Sequence, residues 1–209
     1  MSEIEYKVSV LGSGAWGTAL AQLISKNNSV LMWVKEKSVK QDINKNHLNK
    51  KYLPGIRLNK KIIGTNDLED LKYSEIIFLT VPVQYMSSIL KKIKKIVKRN
   101  VIFVCCSKGI EMNTLNLPSQ IVSSHFPKNN TAVLSGPNFA EEISKNMPAA
   151  TLIASSKIAT SKKVASIVQT KLFRPYISDD IIGSQIAGAS KNVYAIACGI
   201  VEGKKFGKN

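Results

Sequence analysis

The segment VLGSGAWGTALA, residues 10–21, constrains the fold more than any other part of the chain. Gly12, Gly14 and Gly17 follow an apolar run, KVSVL (7–11), and open a stretch of helical character over 15–27. A second apolar run, SVLMWV (29–34), comes next. A glycine triplet alone is common in loops. Inside a strand–helix–strand unit the Gly-x-Gly-x-x-Gly spacing has a physical logic. The first glycine makes the tight turn, the second lets backbone approach a diphosphate, and the third lets the helix lie close on the strand. The helix N-terminus then offers unpaired N–H groups and the positive end of its dipole to phosphate. Gly12, Ser13, Gly14 and Gly17 thus form a candidate dinucleotide cradle, with Trp16, on the exposed turn, as a wall of the cofactor cleft.

The rest of the chain repeats the alternation. Runs at 61–65, 75–81, 101–106, 131–134 and 150–155 read as strands, and 36–48, 84–98 and 157–170 read as helices. Apolar strands separated by amphipathic helices predict a mostly parallel sheet covered on both faces, an α/β, Rossmann-like domain. After RPYIS (174–178) the pattern changes to a long Ile/Ala/Gly-rich run, 181–201, which reads as a helix leaving the sheet. The expected division is 1–180 for the dinucleotide-binding domain and 181–209 for the start of a helical domain.

The net charge of +16 raises the question of nucleic acid. The basic residues are spread over the chain and are mostly lysine, Arg57, Arg99 and Arg174 being the arginines. The densest run, LKKIKKIVKR (90–99), has helical apolar spacing, so its lysines read as a solvated face. No nucleic-acid partner is expected. No apolar run approaches the ~18 residues of a bilayer span, so no membrane insertion is expected either. Cys105, Cys106 and Cys198 are an odd number without metal-ligand spacing, which suits a reducing cytoplasm with no metal and no disulfide framework. His47 and His125 read as isolated surface residues.

Three further places carry chemistry. The second strand ends in WVKEK, where Glu36 suits the ribose hydroxyls of NAD while Lys35 and Lys37 suit the 2′-phosphate of NADP. The residues alone leave both cofactors open. Lys108 is the one charged residue between Asn100 and Ile110, just beyond the carboxyl end of a strand, where ligands of open parallel sheets bind. Lys191 is the one charged residue between Ile181 and Ile200, on a small-residue helix face; burial there would lower its pKa and suit it to proton transfer. The third place is LSGPNFAEEI (134–143): Pro137 and the two glutamates suit a first helical turn, and the amides of 136–140 face the same crevice. A capped helix without a ligand is the equal alternative.

GSGAWGTALA, YLPGI (52–56), VPVQ (81–84), SKGIE (107–111), SGPNFAEEI and GASKNVYAIACGIVEG (188–203) follow one another in an order and spacing that resembles bacterial NAD(P)-dependent glycerol-3-phosphate dehydrogenase. The resemblance covers essentially the whole chain. It implies reversible reduction of dihydroxyacetone phosphate to sn-glycerol 3-phosphate, a precursor for phospholipid synthesis, in a homodimeric enzyme. It further implies that Ala15, Trp16, Lys35 and Ala140 contact NAD or NADP, and that Lys108 contacts cofactor and substrate. Gly136 and Asn138 would contact substrate, with Lys191 as proton donor and acceptor and Asn192 beside it. Family members continue into a helical domain carrying a phosphate-gripping Ser-Arg-Asn segment. The expectation is therefore an amino-terminal portion with negligible turnover by itself. The alternatives are a related 3-hydroxy acid or sugar acid dehydrogenase, and a non-catalytic nucleotide-binding module.

Overall fold

The computed structural model describes residues 6–205; the outer ends of both expected domains lie outside them. Eight strands form one sheet: β1 (Val8–Leu11), β2 (Val30–Trp33), β3 (Ile62–Thr65), β4 (Ile76–Leu79), β5 (Ile102–Cys105), β6 (Thr131–Ser135), β7 (Ala149–Ala154) and β8 (Phe173–Ser178). Their spatial order is β3-β2-β1-β4-β5-β6-β7-β8. All neighbours are parallel except β6 and β7. The chain winds one way from β1 through β3 and the other way from β4 onward, so the carboxyl ends of β1 and β4 flank the point where the winding reverses. In open α/β sheets that reversal leaves a crevice for ligands.

The strands alternate their apolar side chains between two cores. Val8, Val10, Ile76, Phe78, Ile102 and Val104 join one face. There they meet Leu20 and Ile24 of helix α1 (Ala15–Ile24), Ile143 of α5 (Ala140–Ser144) and Val164 and Val168 of α6 (Ile158–Val168). Leu11, Ile77, Leu79 and Phe103 point the other way, onto Met86, Leu90 and Ile93 of α3 (Val83–Ile93) and Ile121 and Val122 of α4 (Pro118–His125). Burying each such side chain contributes about 1.5–3 kcal/mol, and the two-sided burial explains why the strands read as continuous apolar runs.

The differences from the sequence reading have local causes. Residues 173–178 form an extra strand, β8, on the edge beside β7, where Pro175 needs no ladder donor. The lysine-rich helix stops at Ile93, and Lys94–Arg99 continue as turns with their lysines exposed. The stretch 36–48 is a short helix, α2 (Lys37–Gln41), followed by one π-helical turn, Asp42–Asn46, that ends at His47 with φ 53°. Pro137 lies ahead of α5 rather than in it, because the helix starts at Ala140; Glu141 and Glu142 do occupy its first turn. Helix α4 lacks a long periodic pattern; its start is held by Gln120, whose Oε1 accepts from the Leu117 amide at 2.8 Å.

The two histidines are half-buried rather than on open surface, and His125 Nε2 is 2.8 Å from Ser87 Oγ. Helix α7 (Ile181–Gly203) begins with Asp180 Oδ1 accepting from the Gly183 amide at 2.7 Å. Its first turns dock on the domain through buried Gln185, which bonds the amide and hydroxyl of Ser119. Its second half projects with Val193, Tyr194, Ile196 and Ile200 exposed. Among the described residues no helix is long and apolar enough to cross a membrane.

Candidate functional site

The glycine loop joins β1 to α1, and each of its three glycines has a distinct reason. Gly12 has φ +124°, and a Cβ there would meet Thr80 Oγ1 at 2.7 Å. Gly17 is packed against the Gly12 carbonyl and Thr80 Oγ1, leaving no room for a side chain. Gly14 is different: it has an extended conformation that any residue adopts, and a Cβ on it would point into open space. The first and third glycines therefore serve the fold, and the second keeps an approach clear. Helix α1 carries no side-chain cap and no acidic residue in its first turn, so its leading amides and dipole are left to an anion.

Asn49 holds this loop from outside. It is fully buried, and its Nδ2 donates to the Ser13 carbonyl at 2.9 Å and to Thr18 Oγ1 at 2.7 Å. Its Oδ1 accepts from the Tyr52 amide at 3.2 Å. From the neighbouring strand end, Thr80 Oγ1 donates to the carbonyls of Leu11 and Gly12 at 3.1 and 3.2 Å.

Two adjoining hollows, of about 480 and 310 Å³, open along the carboxyl ends of the central strands and share Thr80 and Pro82. Gly12, Ser13, Gly14, Lys35, Glu36 and Tyr52 line the larger. Trp16, Lys108, Gly136, Asn138 and Ala140 line the smaller. Ala15 is exposed at the start of α1 beside them, and Gly17 is buried behind the loop.

Glu36 is already partnered: its Oε1 accepts from Lys51 Nζ at 2.8 Å and from the Tyr52 hydroxyl at 2.7 Å. Those two hydrogen bonds hold its carboxyl below the usual carboxylate range.

In the smaller hollow, Lys108 Nζ donates to the Gly136 carbonyl at 3.2 Å. Desolvation under the crevice wall lowers the Lys108 pKa, and the nearby Lys191 ammonium lowers it further. Lys191 reaches in from α7 and lies 4.5 Å from the centre of the Phe139 ring, a cation–π contact. It is half-exposed rather than buried. Lys108 is exposed as a residue, so the burial expected for Lys191 from sequence is met by neither lysine. Helix α7 comes this near because Gly188 has no side chain; a Cβ there would stand 3.0 Å from Ser135 Oγ and 3.7 Å from Lys108 Cγ. Asn138 Nδ2 donates to the Ala150 carbonyl at 2.8 Å, while its Oδ1 is buried without a partner in the protein. That orphan acceptor suits a ligand hydroxyl.

Every sequence candidate except Lys37 and Asn192 is thus at or beside the crevice; Lys37 is exposed at the start of α2 and lines neither hollow. Asn192 is exposed on α7 and lines neither hollow. Thr80, Asn49, Lys51 and Tyr52 were missed. Thr80 was within reach, because it ends the strand beside β1; the other three belong to an irregular loop whose course no periodicity predicts.

Comparison with known proteins places the chain in a family. A profile of the NAD-dependent glycerol-3-phosphate dehydrogenase N-terminus matches residues 7–161, and one of the C-terminus of the same family matches residues 180–209. A glycerol-3-phosphate dehydrogenase [NAD(P)+] of Parvibaculum lavamentivorans is 40% identical over 202 residues, covering 96% of this chain and 61% of its own length. One of Paramagnetospirillum magneticum is 41% identical over 97% of this chain and 74% of its own. The crystal structure of glycerol-3-phosphate dehydrogenase from Coxiella burnetii superposes with a TM-score of 0.89 at 29% identity, over 98% of this chain and 63% of that one. The chain therefore spans about three fifths of the length of the Parvibaculum relative.

Proposed function

We propose, for a chain that belongs to the NAD-dependent glycerol-3-phosphate dehydrogenase family, that it serves the interconversion of dihydroxyacetone phosphate and sn-glycerol 3-phosphate with NAD or NADP. The observation that carries the reading is the meeting of an uncapped, glycine-opened helix with a lysine pair along one crevice. The residues fit the cofactor: the space beside Gly14 is open, and the leading amides of α1 have no side-chain cap and no acidic residue in the first turn. The cradle would take the diphosphate, and the larger hollow the adenosine. When bound, the nicotinamide supplies or accepts the hydride at the substrate carbon.

The remaining chemistry belongs to the chain. Lys191, as an ammonium, donates a proton to the developing alkoxide oxygen during reduction and takes it back during oxidation. Lys108 adds positive potential at the same oxygen and orients it; desolvation strengthens that interaction because less water competes. Asn138 Oδ1 accepts from a substrate hydroxyl. Trp16 and Pro82 form the walls that keep water from the reacting atoms. The product would feed phospholipid synthesis. Residues 1–180 act as the dinucleotide domain, and α7 begins the helical part that carries Lys191.

None of the arginines, Arg57, Arg99 and Arg174, lines either hollow. A dianionic substrate is thus gripped weakly by the described residues, and the 209-residue polypeptide is expected to bind cofactor while turning over little. The test is NADH and NADPH oxidation dependent on dihydroxyacetone phosphate, followed by absorbance, with Lys191→Ala beside the unmodified protein. Loss of about 10²–10⁴-fold in any measurable turnover supports the proton role. Unchanged turnover, or reduction of 3-hydroxy acid precursors in preference, contradicts the reading.

A further inference from the structure

The loop after α2 brings a lysine to an acid that a ribose would use. Glu36 lies at the N-cap of α2, separated from the end of β2 by two residues, in the turn where a strand–helix–strand unit offers a carboxylate to the adenosine ribose. Lys51 and Tyr52 both bond its Oε1, which leaves Oε2 outside that pair of bonds. A bare carboxylate there accepts from the hydroxyls of an unphosphorylated ribose and repels a 2′-phosphate. Here the carboxylate is not bare. Its charge is balanced by an ammonium that arrives from 15 residues away and remains 56% exposed, so it can reorient without crossing the core. Lys35 lines the same hollow beside Glu36. The Tyr52 hydroxyl keeps its own bond to Oε1 whether or not the lysine stays.

We propose that Lys51 is the residue that lets this site accept both nicotinamide cofactors. With an unphosphorylated ribose it stays on Glu36, and the aligned carboxylate takes the hydroxyls. With a 2′-phosphate it turns from Glu36 to the phosphate and joins Lys35 there, while Tyr52 holds the carboxyl in place. The inference rests on the cofactor reading above and assigns its specificity to a loop outside the strand–helix–strand unit.

The experiment is direct titration of the 209-residue chain with NADH and NADPH, read by tryptophan quenching, for the unmodified protein, Lys51→Met and Lys51→Arg. Lys51→Met keeps the side-chain stem and removes the charge; it should weaken NADPH about tenfold or more relative to NADH, the scale of one charge-assisted contact at a solvent-facing site. Lys51→Arg should keep the NADPH/NADH ratio within about threefold, because the charge is retained. NADH binding by each variant reports that it is folded. An unchanged ratio in Lys51→Met, with both cofactors still bound, overturns the role of Lys51 and leaves the cofactor reading standing. Failure of the unmodified chain to bind either cofactor overturns both.

Discussion

Asn49 donates to Thr18 Oγ1 at 2.7 Å, a bond between residues 31 positions apart that fixes the glycine loop from its concealed side. The same amide nitrogen holds the Ser13 carbonyl, and the amide oxygen holds the Tyr52 backbone. One buried side chain therefore sets the glycine loop and the loop carrying Lys51 and Tyr52 in register. Replacing it with alanine leaves buried partners unmet, at a cost of about 1–3 kcal/mol. The expected result for Asn49→Ala is a lower Tm together with weaker NADH binding. A normal Tm and normal affinity would show that the loop keeps its shape without this side chain.

Lys108 should show the opposite pattern. Its charged form is disfavoured in the folded protein, by desolvation first and by Lys191 second. A lysine whose folded pKa lies below its unfolded value is a burden while protonated, and the burden is lifted as pH rises from the folded pKa toward the unfolded one. The side chain is partly open to solvent, which makes the effect small. Lys108→Met should thus leave thermal stability at pH 7 equal or slightly higher while substrate-dependent turnover falls. A clear drop in Tm would mean that Lys108 serves the fold rather than the site.

Acid should loosen the ribose end of the crevice. Glu36 is held below the usual carboxylate range by Lys51 and Tyr52, and Asp42 by the Lys50 amide and Asn46. A depressed carboxyl stabilises the folded state above its unfolded pKa, and that contribution is lost as pH falls through the folded value. The two groups tie down consecutive parts of one loop. Cofactor affinity should therefore hold from neutral pH down to the ordinary carboxylate range and fall below it. Glu36→Gln should flatten part of that decline, which a titration at successive pH values would reveal; the same acid profile in both proteins would contradict it.

How much of this was legible in the chain depends on whether a residue's role is local. Gly12, Gly14 and Gly17 could be read because strand, turn and helix are adjacent in sequence, and seven strand segments because burial on both faces leaves unbroken apolar runs. β8 was obscured by Pro175 and by the exposure of Arg174, Tyr176 and Ile177 on an edge strand. Lys108 stood out as a lone charge at a strand end, and there desolvation and Lys191 lower its pKa. Lys191 was singled out by the same logic, yet neither lysine is buried, because exposure here is set by how α7 lies over the strand ends, which no local pattern records. Asn49, Lys51 and Tyr52 act only across long sequence separations and through an irregular loop. Their contribution is a tertiary fact.

The most direct test uses the difference between two glycines. Gly17 has no space for a side chain, so Gly17→Ala should destabilise the protein by about 1–3 kcal/mol and say little about ligands. Gly14 has open space and an ordinary backbone conformation, so Gly14→Val should shift Tm by no more than about 2 °C. Its side chain would nevertheless stand where the diphosphate must approach. Titration of Gly14→Val with NADH, followed by quenching of Trp16 and Trp33, should give affinity at least about tenfold below that of the unmodified chain at nearly equal Tm. Equal affinity in the two proteins would contradict the assignment of this loop as the cofactor cradle.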